Sequence, residues 1–362
     1  SPLPSPLWLK HKSTTQHWTL VAMPNPLIEK VLSKYPGVDI AALAFPPDAD
    51  DWDEQALDLF IGSGGFLKPK KKKPPPAAPA GSATVSASLP PLAKSEWWVN
   101  NPNPSAKVRL FCAMGIGSVG STYGPWVSKA LAEEFPDVEV CVVELPGHGT
   151  NLGEPLGSVE DAATALEAQI RRCHFGAAQD RRPLALFGFS MGANVMYCLA
   201  GKLGAACRKL YVAGRAPPHL PAPIRDQQSP QVAKVDELLR QSDLDAVAEA
   251  LLKDVLPLFM EEAQLKTYGR ILENRLQRED GRRDVELFAR SLVNDCRIGM
   301  DSNEVPRNYA GDLHFFHSLA DQTWPPSVEG LYDDLPSLWQ QYTTGTFTME
   351  EVAPVSHHEF GG

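Results

Sequence analysis

No stretch of the sequence approaches the about 18 uninterrupted apolar residues that a membrane-crossing helix needs, so no helical span is expected. The N-terminus, Ser1-Pro2-Leu3-Pro4, shows no basic region leading into an apolar run, so no secretory leader is expected from it. It also shows no initiating Met, which points to a processed chain or a piece of a longer one. Localisation stays open on these grounds, with an intracellular setting, cytoplasmic or organellar, favoured. Cysteine is sparse: six residues, at 112, 141, 173, 198, 207 and 296, fall mostly in apolar segments and never in CxxC spacing. That pattern suits reduced, buried thiols and no zinc site, and no metal is expected. Positive charge is outnumbered, 34 Lys and Arg against 44 Asp and Glu, and a net charge of -10 argues against a nucleic-acid partner.

One basic cluster opposes that trend. Lys68 and Lys70 to Lys73 run into Pro74-Pro75-Pro76 and an Ala/Ser/Pro-rich tract, a composition that cannot bury apolar surface. Residues 68–94 are therefore read as a linker. Residues 1–67 form a Pro-rich, small or partly disordered extension of unknown role, and residues 95–362 form the main domain. Within it, apolar runs of strand length alternate with helical periodicity, the sign of a mostly parallel sheet with crossover helices. Strands are predicted at 108–113, 138–144, 183–189, 209–213, 313–319 and 346–352. Over 158–173, Val159, Ala162, Ala163, Leu166 and Ile170 recur at helical spacing. Between about 217 and 306 the alternation stops for a helical block, placed where a substrate-covering lid would sit.

Gly188-Phe189-Ser190-Met191-Gly192 stands between a buried-strand run and a helix-like segment. This is the strand, sharp turn and helix setting of a GxSxG nucleophile elbow, and with the parallel sheet it resembles the α/β-hydrolase fold. Ser190 is the expected nucleophile, raised at a helix N-terminus where an oxyanion is favoured. A serine hydroxyl needs a base and an orienting carboxylate. His357 and His358, after the last predicted strand, are the candidates for the base. Asp321, after the strand at 313–319, is the expected carboxylate, with Asp301 as the alternative. His148 and His174 precede the nucleophile and are weaker candidates for the base, and His314 and His317 alternate inside a strand, which favours structural roles for these two. The glycine-bearing loop Met114-Gly115-Ile116-Gly117 lets the backbone come close, so the amides of Ile116 and Met191 are the expected oxyanion donors.

These motifs resemble the type II thioesterases of polyketide and non-ribosomal peptide synthesis and the related medium-chain fatty acyl thioesterases. Tyr123-Gly124-Pro125-Trp126 is similar to the family's Tyr-x-x-Trp element, and Val143 to His148 to its Val-Gln-Leu-Pro-Gly-Arg block. Phe187 to Ala193 is similar to its Gly-His-Ser-Met-Gly elbow, and Ala213-Gly214-Arg215-Ala216-Pro217-Pro218-His219 to its Ser-Gly-Arg-x-Ala-Pro-His strand end. Fused releasing domains often draw their acid from that strand end, where this chain offers only Gly214-Arg215. The resemblance therefore implies the discrete type's triad of Ser190, Asp321 and His358, with the family's Gly-Gly-His-Phe block falling on Ser356 to Glu359 and favouring His358 over His357. Two departures stand out: a stretch from Val328 to Pro336 resembles an insertion, and only four residues follow His358, so the closing helix is missing.

The activity so implied is hydrolysis of acyl thioesters carried on the phosphopantetheine arm of an acyl or peptidyl carrier protein. The arm would come with the substrate, and no cofactor of the chain's own is expected. A carboxylesterase or lipase acting on oxygen esters is one alternative, and a catalytically inactive hydrolase-fold binding domain is another. The extension and the Pro/Ala linker suggest a domain cut from a megasynthase-like protein.

Overall fold

The computed structural model describes residues 92, 95–113, 115–118, 124–177, 180–220, 225–258, 262–300, 305–307, 309–318 and 331–352. At its centre is a seven-stranded sheet formed by β1 (Trp98–Asn100), β2 (Val108–Ala113), β3 (Val138–Val143), β4 (Leu184–Phe189), β5 (Cys207–Ala213), β6 (Asp312–His317) and β7 (Phe347–Glu351). Their order is β1-β3-β2-β4-β5-β6-β7. All neighbours pair in parallel except the edge strand β1, which runs antiparallel to β3. Each predicted strand is present within two residues of its expected ends. The three-residue β1 is additional, too short to leave a periodic signal.

Central strands covered on both faces read as continuous apolar runs, and all six residues of β4 are buried. Their side chains split by alternation. Phe111, Leu184, Leu186, Leu210, Val212 and Phe315 join one core, whereas Leu110, Ala185, Phe187, Tyr211, Ala213 and Phe316 join another on the opposite face. On the first face lie α2 (Val159–Ile170) and α3 (Met191–Leu203). Ser158 caps α2 by accepting from the Asp161 amide at 3.0 Å, and Val159, Ala162, Ala163, Leu166 and Ile170 supply its buried stripe. The predicted helix over 158–173 ends at Ile170 and widens into a π-turn over Arg171–Ala177, which sinks Cys173 and His174 into the interior.

Between β5 and β6 the chain departs into α4 (Arg225–Arg240), α5 (Leu244–Ala250), α6 (Glu262–Leu276) and α7 (Glu279–Met300). These pack a separate apolar core, with Val235, Leu239, Val247, Leu251, Leu292 and Cys296 at its centre. Ile116 packs against both this core and the sheet core. Two further α-helices among the described residues are α1 (Lys129–Glu134) and α8 (Leu331–Gln340). The latter overlaps the stretch that looked like an insertion, and it tolerates Pro336 within it. Its Trp339 is fully buried and donates from Nε1 to the Arg215 carbonyl at 2.8 Å. No helix among the described residues is long and apolar enough to cross a membrane.

Candidate active site

Where β4 meets α3 the backbone reverses within one residue. Ser190 occupies φ 53, ψ -124, a conformation that L-residues rarely adopt. A Cβ on Gly188 would fall 2.5 Å from both the Ala193 Cα and the Gly192 carbonyl oxygen. Only glycine lets the helix start so close to the strand it leaves. The Ser190 amide donates to the Ala213 carbonyl of β5 at 3.0 Å, and the Ser190 carbonyl accepts from the Ala193 amide at 3.0 Å, so the turn is pinned on both sides. The serine follows β4 at the C-terminal edge of the parallel sheet, where ligands of open α/β sheets bind.

The glycine loop after β2 reaches the same place. A Cβ on Gly115 would lie 3.3 Å from the Ser190 Cβ and 3.6 Å from its Oγ, so the loop backbone rests directly against the serine. Gly115 to Ser118 form a turn closed by the Ser118 amide donating to the Gly115 carbonyl at 3.2 Å, with Gly117 at φ +70. From the insertion, Gly299 of α7 closes over both expected oxyanion residues. A Cβ there would meet the Ile116 Cδ1 at 2.8 Å and the Met191 Cβ at 3.5 Å. Ser190, Ile116 and Met191 are thus brought together. Asp321, Asp301, His357 and His358 lie outside the described residues. The register carries Phe189 level with Ala213 and Phe316, and His317 level with Glu351, so β6 and β7 end on the edge that holds Ser190.

At the end of β5, the position that Gly214-Arg215 denies to a carboxylate, Arg215 is buried. Its guanidinium donates to the Asn194 carboxamide oxygen of α3 at 3.2 and 3.3 Å. His314 is buried in β6 with Nδ1 2.7 Å from the Thr348 hydroxyl, in keeping with a structural role.

A histidine–carboxylate pair missed in the sequence lies beside the loop. His148 Nε2 is 2.8 Å from Asp295 Oδ2, and the same oxygen accepts from the Gly117 amide at 2.8 Å. Burial opposes the imidazolium, yet the Asp295 charge and hydrogen bond outweigh it and raise the ring's pKa to about 9. The residues are 147 positions apart, and neither segment carries a pattern that announces the contact. Between α6, α7 and the loop after β3 opens a pocket with about 720 Å³ of empty space, counting its mouth. Leu152, Tyr268, Ile271, Leu272, Phe288 and Leu292 give it apolar walls, and Gly117 joins it to the serine loop. No cluster of metal-ligating side chains occurs among the described residues.

A mostly parallel sheet, helices on its faces, a helical insertion before β6 and a strained serine at the strand-to-helix turn define an α/β hydrolase. The model of the thioesterase domain family matches residues 108–350, more than half of the chain, and the chain belongs to that family. The gramicidin S biosynthesis protein GrsT of Aneurinibacillus migulanus is 29% identical over 168 residues, 44% of this chain and 60% of its own length. The linear gramicidin dehydrogenase LgrE of Brevibacillus parabrevis is 33% identical over 133 residues, 35% of this chain and 47% of its own. The chain thus spans about half of each of these relatives. The RedJ thioesterase from the prodiginine biosynthetic pathway in Streptomyces coelicolor is 22% identical with a TM-score of 0.50, covering 80% of this chain and 86% of that one, a likeness of fold.

Proposed function

We propose that the chain hydrolyses acyl thioesters presented on the phosphopantetheine arm of an acyl or peptidyl carrier protein, in polyketide, non-ribosomal peptide or fatty acid synthesis. Ser190 Oγ attacks the thioester carbonyl while His358 takes its proton, and Asp321 orients the imidazole and balances its charge. The amides of Ile116 and Met191 receive the oxyanion. Collapse of the tetrahedral adduct breaks the C–S bond, and the proton on His358 leaves with the thiol. Water, deprotonated by the same histidine, then attacks the acyl-serine and frees the acid. The thiol arm belongs to the carrier, and the chain needs no cofactor of its own for these steps.

The observation that carries this reading is the strained serine with a glycine loop packed on its Oγ. Such strain persists only where the surroundings impose it and is concentrated at reactive positions. Biosynthesis proteins among the relatives support the pathway, and the apolar pocket beside the loop suits an acyl chain. The helical block over about 217–306 acts as its lid, within a domain spanning 95–362 that follows the linker at 68–94. Hydrolysis of acyl N-acetylcysteamine thioesters by the wild type, lost in Ser190→Ala, tests it. Undiminished turnover by the variant would end the proposal. Equal or faster turnover of matched oxygen esters would move the substrate class to esters.

A further inference from the structure

Asp295 Oδ2 serves two donors, each at 2.8 Å: His148 Nε2 and the amide of Gly117. On the other side of the ring, His148 Nδ1 lies 3.2 Å from the carbonyl oxygens of both Leu145 and Pro146. Both ring nitrogens therefore face acceptors only, and the ring satisfies them only with a proton on each, as imidazolium. The pair is buried, with side-chain exposures of 7% and 3%.

The loop that holds His148 has little freedom. Asn151 pairs with it through backbone bonds, Glu144 accepts from the Thr150 amide and hydroxyl, and the Ser291 hydroxyl of α7 donates to the Gly147 carbonyl at 2.9 Å. A Cβ on Gly147 would meet that hydroxyl at 2.2 Å, so the loop is fitted to α7. The other charged groups facing this region are the Glu144 carboxylate, held by Thr150, and Arg275 and Asp284 across the pocket, paired with each other at 2.7 Å.

We propose that Asp295 and His148 are positioning residues: the lid-helix carboxylate, locked by the imidazolium, fixes the Gly117 amide and so holds the Gly115–Ser118 turn against Ser190. Neither touches the reacting atoms. Their effect passes through the turn, and the oxyanion site is complete only when α7 is seated. The inference rests on the hydrolase reading of Ser190. Loss of the proton above pH 9 leaves one ring nitrogen facing an acceptor without a hydrogen and loosens the clamp.

The test measures the chain and its variants by steady-state hydrolysis of a short acyl N-acetylcysteamine thioester across pH 7 to 10, with hydrogen exchange of the peptide covering 115–118. In Asp295→Ala, kcat is expected to fall by ~10²-fold with KM little changed, the scale of a small misplacement in an active site. Asp295→Asn, which keeps an acceptor oxygen, recovers part of that loss. Wild-type kcat falls above about pH 9, and His148→Arg, cationic throughout, removes that fall. Exchange of the 115–118 amides is faster in Asp295→Ala. Wild-type kcat and exchange in Asp295→Ala would overturn the proposal, as would a raised KM alone. Should Asp295→Ala fail to fold, the His148→Arg profile decides: an alkaline fall identical to wild type refutes the clamp. Faster exchange in a chain whose wild type hydrolyses no thioester would refute the hydrolase reading and leave the anchoring in place.

Discussion

The positive φ of Ser190 is an energetic debt held in a single residue, and it makes stability and activity oppose each other there. A non-glycine residue in such a conformation costs of order 1–3 kcal/mol, whereas glycine enters it freely at an entropic cost of about 0.5–1 kcal/mol. Ser190→Gly should therefore be more stable than Ser190→Ala by about 1 kcal/mol, although both lose the hydroxyl. Denaturant midpoints of the two variants measure this, and a glycine variant no more stable than the alanine one would mean that the turn carries no strain. The serine was legible because GxSxG spacing, a buried run before it and a helix after it are all local. His148 precedes the nucleophile, an order that counts against it as the triad base but not as a residue that anchors a loop. Asp295 is buried in α7, and only folding brings its oxygen to Gly117.

At the scale of elements, the ends of the strands opposite the serine edge are tied by buried charge. Arg109 of β2 donates to Glu139 of β3 at 2.7 Å and approaches Asp180 at 3.1 Å, and Arg182, just before β4, meets Glu139 at 3.1 Å and Asp180 at 2.5 Å. His174, carried in by the π-turn after α2, completes the cluster with its Nδ1 on the Arg109 guanidinium. Burial, reinforced by the Arg109 charge, lowers the His174 pKa to about 4 from an ordinary value of 6.5, against the pull of Asp180. The native ring is thus neutral. Its contribution to stability is present above pH 6.5 and is lost as pH falls toward 4, because the unfolded chain takes up the proton first. His174→Gln should flatten the acid slope of the denaturant midpoint between pH 6.5 and 4.5. An unchanged slope would place the proton elsewhere. Removing one partner from a buried charge cluster commonly costs about 3–5 kcal/mol, the loss expected for Arg109→Met, with the serine end of the sheet left intact. Strands were the most legible elements, since burial on both faces leaves unbroken apolar runs. The helix α8 was obscured by Pro336, and the end of α2 by a π-turn that keeps the helical spacing while changing the pitch.

Across the whole molecule, the insertion keeps an apolar core of its own beside the two that flank the sheet. The insertion closes around Val235, Leu251 and Leu292 on its own account and meets the sheet body along α7, through Ile298 in the sheet core, Gly299 against Ile116, the Ser291 contact with Gly147 and the Asp295 clamp. A unit with its own core, joined to its neighbour along one helix, can open without unfolding that neighbour. Amides of α5 and α6 are therefore expected to exchange by a sub-global opening at least tenfold faster than those of β4 and β5, a gap of about 1.4 kcal/mol, and to converge on them only near the unfolding midpoint. Native-state hydrogen exchange over a denaturant series measures both. If insertion and sheet exchange with one common free energy and one denaturant slope, the cores unfold as one. If they separate, the same opening that loosens α7 releases Ile116 and Gly117, so access to Ser190 and completion of the loop beside it are coupled: the open state is not the state with the turn fixed against the serine. Turnover then requires the insertion to reseat after substrate enters, which predicts that mild denaturant, too dilute to unfold the sheet, lowers kcat in step with the fraction of insertion opened.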